Sequence, residues 1–318
     1  NQPPITKWNL ARFAECLVPL IDKSEDYAIK LATDLIDNFQ NAKQDLSFST
    51  MPTFFDVAAA SDGSYYAVGL NGSVWRYEES TGWEDMMDAA RGDWFGAHMK
   101  EGVMVVGGSS GRLVQKTGET QLLAQKSGTK STISGVFVFQ DGTRVAVGES
   151  GMVLMAVPEG EFQLMPGMPT TYDLAGVAGN SSDDFTIVGA GGTVVRYDGS
   201  SFKLEPTPTT ADLNDVAVLP DGQRFAVGAT GTILEDTGGG WMAVPKINND
   251  ALSGITAVGV ETVVAVGNYG TILTRDFTTG TYKKVQGVTS KNLKAVHAIA
   301  PDQIWAVGLY GTILSFDG

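Results

Sequence analysis

The chain has 318 residues, with 22 Lys and Arg against 36 Asp and Glu, for a formal net charge of −14. So acidic a balance disfavours nucleic acid and anionic membrane surfaces as partners, since both demand a basic footprint. Apolar residues at 43% can fill a core, while the single cysteine, Cys16, excludes an internal disulfide framework.

No apolar run approaches the roughly 18 residues of a membrane span, so no membrane insertion is expected. The first 45 residues read as a helical extension. Leu10, Phe13, Leu17, Leu20 and Ile21 recur at helical spacing, and Pro19 kinks or ends that helix. Ser24 caps a second helix, with Glu25 and Asp26 in its first turn and Ala28, Leu31, Ala32, Leu35 and Phe39 on one stripe. Cys16 beside the first stripe reads as a small buried hydrophobe.

From residue 46 onward the chain repeats. The segment Ala306-Val307-Gly308-Leu309-Tyr310-Gly311-Thr312-Ile313-Leu314 recurs with its central glycine at Gly69, Gly107, Gly148, Gly189, Gly228, Gly267 and Gly308. A period near 40 residues, built of short apolar runs and turn residues, predicts a seven-bladed all-β propeller with four strands per blade. The first strand carries Leu-x-x-Val, as in Leu213 to Val216, with Phe54 to Val57 and Trp94 to Ala97 as variants. Asp-Gly turns such as Asp221-Gly222 lead to the second strand. That strand is the Ala-Val-Gly segment, and Gly-Thr-Ile-Leu forms the third. The fourth often opens on an aromatic: Trp83, Phe162, Phe202, Trp241 or Tyr282.

The last repeat stops at Gly318, before a fourth strand, and residues 47–53 resemble the fourth strand at 201–207. Residues 46–53 are therefore expected to supply the outer strand of the last blade and latch the ring shut. Residues 1–45 would then lie over the face carrying the first-to-second and third-to-fourth loops, or on the flank of blade seven. The opposite face would stay open.

The Ala-Val-Gly-x-x-Gly-Thr-Ile-Leu units at 226–234, 265–273 and 306–314 resemble those of the photosystem II stability/assembly-factor-like propellers, within the class bearing BNR and YVTN-type repeats. The turn Asp236-Thr237-Gly238-Gly239-Gly240-Trp241 is similar to an Asp-box without its leading serine. The resemblance covers residues 46–318 and implies a non-catalytic helper that holds another protein. The arginine-rich patch associated with the photosynthetic role has no counterpart here.

Chemistry-bearing motifs are few. Gly107-Gly108-Ser109-Ser110-Gly111 matches a nucleophile elbow, but a strand follows where a helix is needed, so it reads as a blade turn. His98 and His297 occupy equivalent first-strand positions in blades two and seven, with Ala58 between them in blade one, and are expected at the channel as hydrogen-bonded structural residues. The only acids at neighbouring positions are Asp56 and Asp215, too few for a metal site at the histidines; no metal or cofactor is expected, with calcium an open alternative that lacks EF-hand spacing. The acids Asp62, Asp141, Asp183, Asp184, Asp221, Asp236, Asp276 and Asp302 read as turn formers.

Blades differ most on the open face, at Arg91, Trp94, Tyr172, Asn268, Tyr269 and Tyr310, which are the candidate binding residues; Trp94 has an alternative role filling the leucine slot of its repeat. The expected function is a monomeric, non-enzymatic scaffold that binds a protein partner outside the cytoplasm. The alternative is a carbohydrate-active propeller, lectin or glycoside hydrolase. Aromatic pockets repeated between blades would favour the lectin, and paired channel carboxyls of raised pKa would favour the enzyme.

Overall fold

The computed structural model describes residues 52–60, 62–86, 92–118 and 121–316. Among them the strands form seven antiparallel sheets arranged as the seven blades of a β-propeller, each running inside to outside in chain order. Blade one consists of Phe54–Ala59, Tyr65–Gly69, Val74–Glu78 and Gly82–Asp85. Six sheets have four strands, and the seventh has three: Leu293–Ala300, Gln303–Gly308 and Ile313–Phe316. The expected helices at 1–45 and the expected latch strand at 46–53 fall outside the described residues, apart from Pro52 and Thr53.

Alternation along the second strands explains the assembly. Successive side chains point to opposite faces of a sheet, so each blade presents one apolar set to each neighbour. In blade one, Tyr66 and Val68 pack against Trp94, Met104 and Val106 of blade two. Ala67 joins Phe54 and Val57 against Ala295, Val307 and Ile313 of blade seven. Seven buried clusters result, one per blade junction, including the one that closes the ring. At that closure Trp305 lies 4.6 Å from Tyr65, 4.9 Å from Tyr77 and 5.8 Å from Trp83, ring centre to ring centre. Contacts of this kind are worth about 1 kcal/mol each beyond the area they bury.

The two-glycine turn between second and third strands recurs seven times as a short 3-10 turn, from Leu70–Gly72 to Leu309–Gly311. Its first residue donates a backbone hydrogen bond of 2.8–3.1 Å to the carbonyl that precedes the inner strand of the same blade, as in Ala229 N–H to Asp212 O. The preceding glycine lies against that carbonyl, and a Cβ on Gly228 would sit 2.0 Å from Asp212 O. Only hydrogen fits there.

This contact corrects the repeat in blade two. Gly108, not Gly107, occupies the turn position, since a Cβ there would lie 2.2 Å from Asp93 O. Gly107 stands in the valine slot, packed under Ile133 of the next blade. The nucleophile-elbow match is thus the same turn as the other six, Ser109–Gly111, between two strands.

A second regularity is absent from the sequence pattern. In every blade the register between inner and second strands slips by one residue at the inner strand's start, for example between Leu213 and Asp215. The residue after this bulge is Asp56, Gly96, Gly135, Gly176, Asp215, Gly254 or Ala295 in blades one to seven. Bulges of this kind bend a strand and redirect its side chains. Here they bring neighbouring inner strands almost into backbone contact: a Cβ on Gly176 would lie 2.9 Å from the Asp215 Cα, and one on Gly254 would lie 2.9 Å from the Ala295 Cα.

The steric account predicts that Gly228→Ala destabilises the fold by about 3 kcal/mol, as an overpacked core position does. Gly222→Ala, at φ +89 with open space around it, should cost about 1 kcal/mol from backbone strain alone. Denaturant melts of both variants would check the order; equal costs would contradict it.

Candidate functional site

The two ends of the ring are chemically different. On the face of the two-glycine turns, the middle turn residue is held in the left-handed conformation in all seven blades, at φ between +55 and +65. Asn71, Ser110, Ser150, Gly191 and Thr230 occupy it in blades one to five, and Tyr269 and Tyr310 occupy it in blades six and seven. A bulky side chain at positive φ costs about 1 kcal/mol. Both tyrosines are also exposed, at 70% and 68%.

Their surroundings place them side by side. Asn292, at the start of blade seven, accepts the Tyr269 backbone N–H at 2.9 Å through Oδ1. The adjacent Lys291 holds its ammonium 5.1 Å from the centre of the Tyr310 ring. Asp93, Asp173 and Asp212 make the same clasp onto Asn71, Ser150 and Gly191 of the preceding blade. Asn268 is half-buried, its backbone N–H bonded to Ala251 O at 2.9 Å. Tyr172 is 61% exposed on the same face and lies over Gly191, on the far side of the ring from the tyrosine pair.

Two candidates leave this group. Trp94 is 2% exposed and fills the leucine slot between blades one and two, where its large ring is worth more buried than presented. Arg91 lies outside the described residues.

At the other end the channel opens as a funnel of roughly 670 Å³, lined by the inner strands and by their hairpins to the second strands, including Glu101, Pro220, Gly259 and Gln303. It narrows towards the bulges, where Asp56 and Asp215 form its floor. Asp56 accepts the backbone N–H of Val57 at 2.8 Å and that of Ala97 in the next blade at 2.7 Å, one on each oxygen. Asp215 does the same with Val216 at 2.8 Å and Ile255 at 2.9 Å. Both carboxyls keep a small accessible area and line the funnel. Removal from bulk water pushes Asp56 up to about 8, with the Asp215 charge adding to the shift, and the same burial pushes Asp215 up to about 7.

His98 and His297 sit midway along the funnel, as their register predicts, with ring centres 5.7 Å apart. His98 Nδ1 accepts the Val138 N–H at 3.1 Å, which leaves the proton of the neutral ring on Nε2. Its other face stacks on Phe137 at 4.1 Å. Burial holds His98 well below the ordinary histidine value and His297 at about 4, with nearby positive charge acting the same way. The expected structural role suits His98. Thr256 has a parallel one, accepting the Ala298 N–H at 3.2 Å.

The hairpin acids are largely turn formers. Asp62, Asp141 and Asp221 each accept the N–H two residues ahead, at 2.8–3.0 Å. Asp236 accepts from Gly238 at 2.8 Å and Gly240 at 2.9 Å while pairing with Arg224, so the Asp-box-like turn is a structural knot. Among the described residues, no three potential metal ligands converge, and no helix is long and apolar enough to cross a membrane. In the sequence Asp56 and Asp215 are isolated acids. Aligned on Leu-x-x-Val, they stand out as the two residues replacing glycine or alanine.

No known protein-family profile matches the chain. The fold is similar to streptogramin B lyase over 84% of this chain and 94% of that one, with TM-score 0.73 and 13% identity. It is similar to YCF48 bound to D1 peptide over 84% and 92%, with TM-score 0.70 and 14% identity. The WD40 propeller domain of Doa1 matches over 83% and 92%, at 0.68 and 14%. At such identities the likeness shows the fold, the one expected from the repeats. Among curated proteins, a stretch of 40 residues is 70% identical to the protein nucleotidyltransferase YdiU of Pelagibacter ubique, covering 13% of this chain and 8% of that protein. A 79-residue match to the Clostridium perfringens YdiU is 33% identical and covers 24% of this chain and 16% of that protein. The chain therefore spans only a small part of the curated proteins it matches.

The funnel pKa shifts predict a stability profile. Between about pH 4.5 and 6.5 the folded chain withholds protons from the histidines and retains them on the carboxyls, so the two linkages oppose each other. Above pH 6.5 only the carboxyl effect remains: the unfolded chain has lost protons that Asp56 and Asp215 keep until about 8 and 7. The melting temperature should therefore fall between pH 6.5 and 8.5. In Asp56→Asn/Asp215→Asn the whole curve starts lower, since each amide loses one acceptor, but that fall should flatten. An unchanged slope in the variant would contradict the assignment.

Proposed function

We propose that the protein is a non-enzymatic, partner-binding propeller that holds a protein segment on the face of the two-glycine turns, centred on Tyr269, Tyr310 and Lys291, and that it serves as an assembly or stability factor for a larger complex. The observation that carries this is the pair of exposed tyrosines kept at positive φ. The same turn accepts Asn, Ser or Gly at less strain in four other blades, so folding alone gives no reason for tyrosine in two adjacent ones. Strain retained at an exposed aromatic, beside a lysine, fits a binding hot spot. The propeller fold, shared with YCF48 bound to D1 peptide and with a WD40 domain, supports a protein partner.

The carbohydrate-active alternative has one observation in its favour: the paired funnel carboxyls of raised pKa. Each oxygen of both already accepts one backbone N–H, so the pair ties neighbouring blades together. Among the described residues, Lys100 is the only cationic one lining the funnel, and no sialidase-like arginine cluster lines it. The YdiU likeness covers too little of either chain to support nucleotidyl transfer.

Tyr269→Asn/Tyr310→Asn separates binding from folding, because Asn71 already occupies this conformation in blade one. The double variant should match or exceed the wild-type stability, by up to about 1 kcal/mol per site from relieved strain. It should lose at least ten-fold in capture of the protein that the wild type retains from native extract. Undiminished capture by a folded variant would place the partner elsewhere.

A further inference from the structure

The partner-binding face leaves the funnel at the opposite end unexplained. Its volume of roughly 670 Å³ lies within the range of small-ligand sites. Each of the seven hairpins around its mouth carries an exposed carboxylate, from Asp62 in blade one to Asp302 in blade seven. Against these seven carboxylates the funnel lining carries one lysine, Lys100, and a concave site with such an excess of negative charge concentrates cations. Inside, small side chains such as Ala59, Ala178 and Ala217 leave room for an aliphatic stem, and Phe137 offers an aromatic surface.

The floor gives the site its selectivity. Asp56 and Asp215 stand where four other blades have glycine and one has alanine, so the propeller closes at this level without any carboxyl. Each spends one acceptor site per oxygen on a backbone N–H, and the remaining lone pairs belong to groups lining the funnel. No third potential metal ligand converges with them among the described residues, so a metal ion would lack protein donors there. An ammonium group brings three donors of its own and needs only acceptors.

We propose that the funnel is a binding site for an organic cation whose primary ammonium group reaches Asp56 and Asp215 at the floor. The other titratable groups along it are His98 and His297, neutral at physiological pH, with Lys100 and Glu101 at the mouth. Binding draws the two carboxyls into their charged forms and expels the protons that burial makes them keep. The ammonium can come from a free amine or from the lysine side chain of a peptide; the chemistry at the floor is the same.

Isothermal titration of the full chain tests this with two probes, 1,5-diaminopentane and a blocked pentapeptide with a central lysine, at pH 6.0 and 8.5. At least one should bind, at least ten-fold more tightly at pH 8.5, with proton release seen as a buffer-dependent heat. Binding by the diamine identifies a free amine as the ligand type, and binding by the peptide alone identifies a protein side chain. Asp56→Asn/Asp215→Asn should abolish the signal while Tyr269→Asn/Tyr310→Asn leaves it intact, which separates this site from the partner face. Should the double Asn variant at the floor fail to fold, the pH ratio and proton release in the wild type decide. Binding of neither probe, or binding equal at both pH values, would overturn the site.

Discussion

Each blade is drawn onto its own inner strand by a backbone hydrogen bond from the two-glycine turn to the carbonyl before that strand. The bond forms only because the residue ahead of the turn lacks a side chain; in blade five a Cβ would stand 2.0 Å from the accepting oxygen. Repeated seven times, this contact ties the turn to the start of the inner strand in every blade. The bulge that follows then brings neighbouring strands together at one level. The apolar clusters between blades supply most of the stabilisation, at about 25 cal/mol per Å² buried, but they fill a geometry that the turn and bulge impose.

From that geometry the two ends of the molecule diverge. Near the turns the channel narrows, and the outer surface is a ring of left-handed corners on which any exposed side chain stands clear of the fold. At the far end the hairpins spread, the channel widens, and acidic turn residues surround its mouth. The level of closest approach is where the two half-buried carboxyls reside. Their raised pKa values follow from the tight backbone around them: two N–H donors stabilise each charge, yet loss of bulk water outweighs them. The neutral histidines above them obey the same desolvation with the opposite charge, so the funnel interior favours uncharged groups until a cation enters.

The architecture was legible in the sequence because its most constrained residues are local and periodic. The turn glycines and the paired apolar residues before them recur wherever steric limits and two-sided burial demand them. The error over Gly107 arose where glycine also occupies the neighbouring valine slot, so that two adjacent glycines compete for one role and only contact with Asp93 O decides between them. Tyr269, Tyr310 and the two histidines could be placed from register alone. Trp94 read both as a binding residue and as the filler of its leucine slot, and its burial bears out the slot. The bulge was hidden because it changes pairing without changing the apolar pattern. With the bulge went the direction in which the channel narrows, and hence the meaning of Asp56 and Asp215.

The central claim is that the turn and the bulge pull the seven inner strands close enough to hold Asp56 and Asp215 largely out of bulk water at the floor of the funnel. Carboxyl carbon chemical shifts of Asp56 and Asp215, followed by NMR across a pH titration, measure this at the residues concerned. The account predicts midpoints at about 8 for Asp56 and about 7 for Asp215. Midpoints near 4 for both, the ordinary value of a solvated aspartate, would show carboxyls hydrated as in open solvent and contradict it.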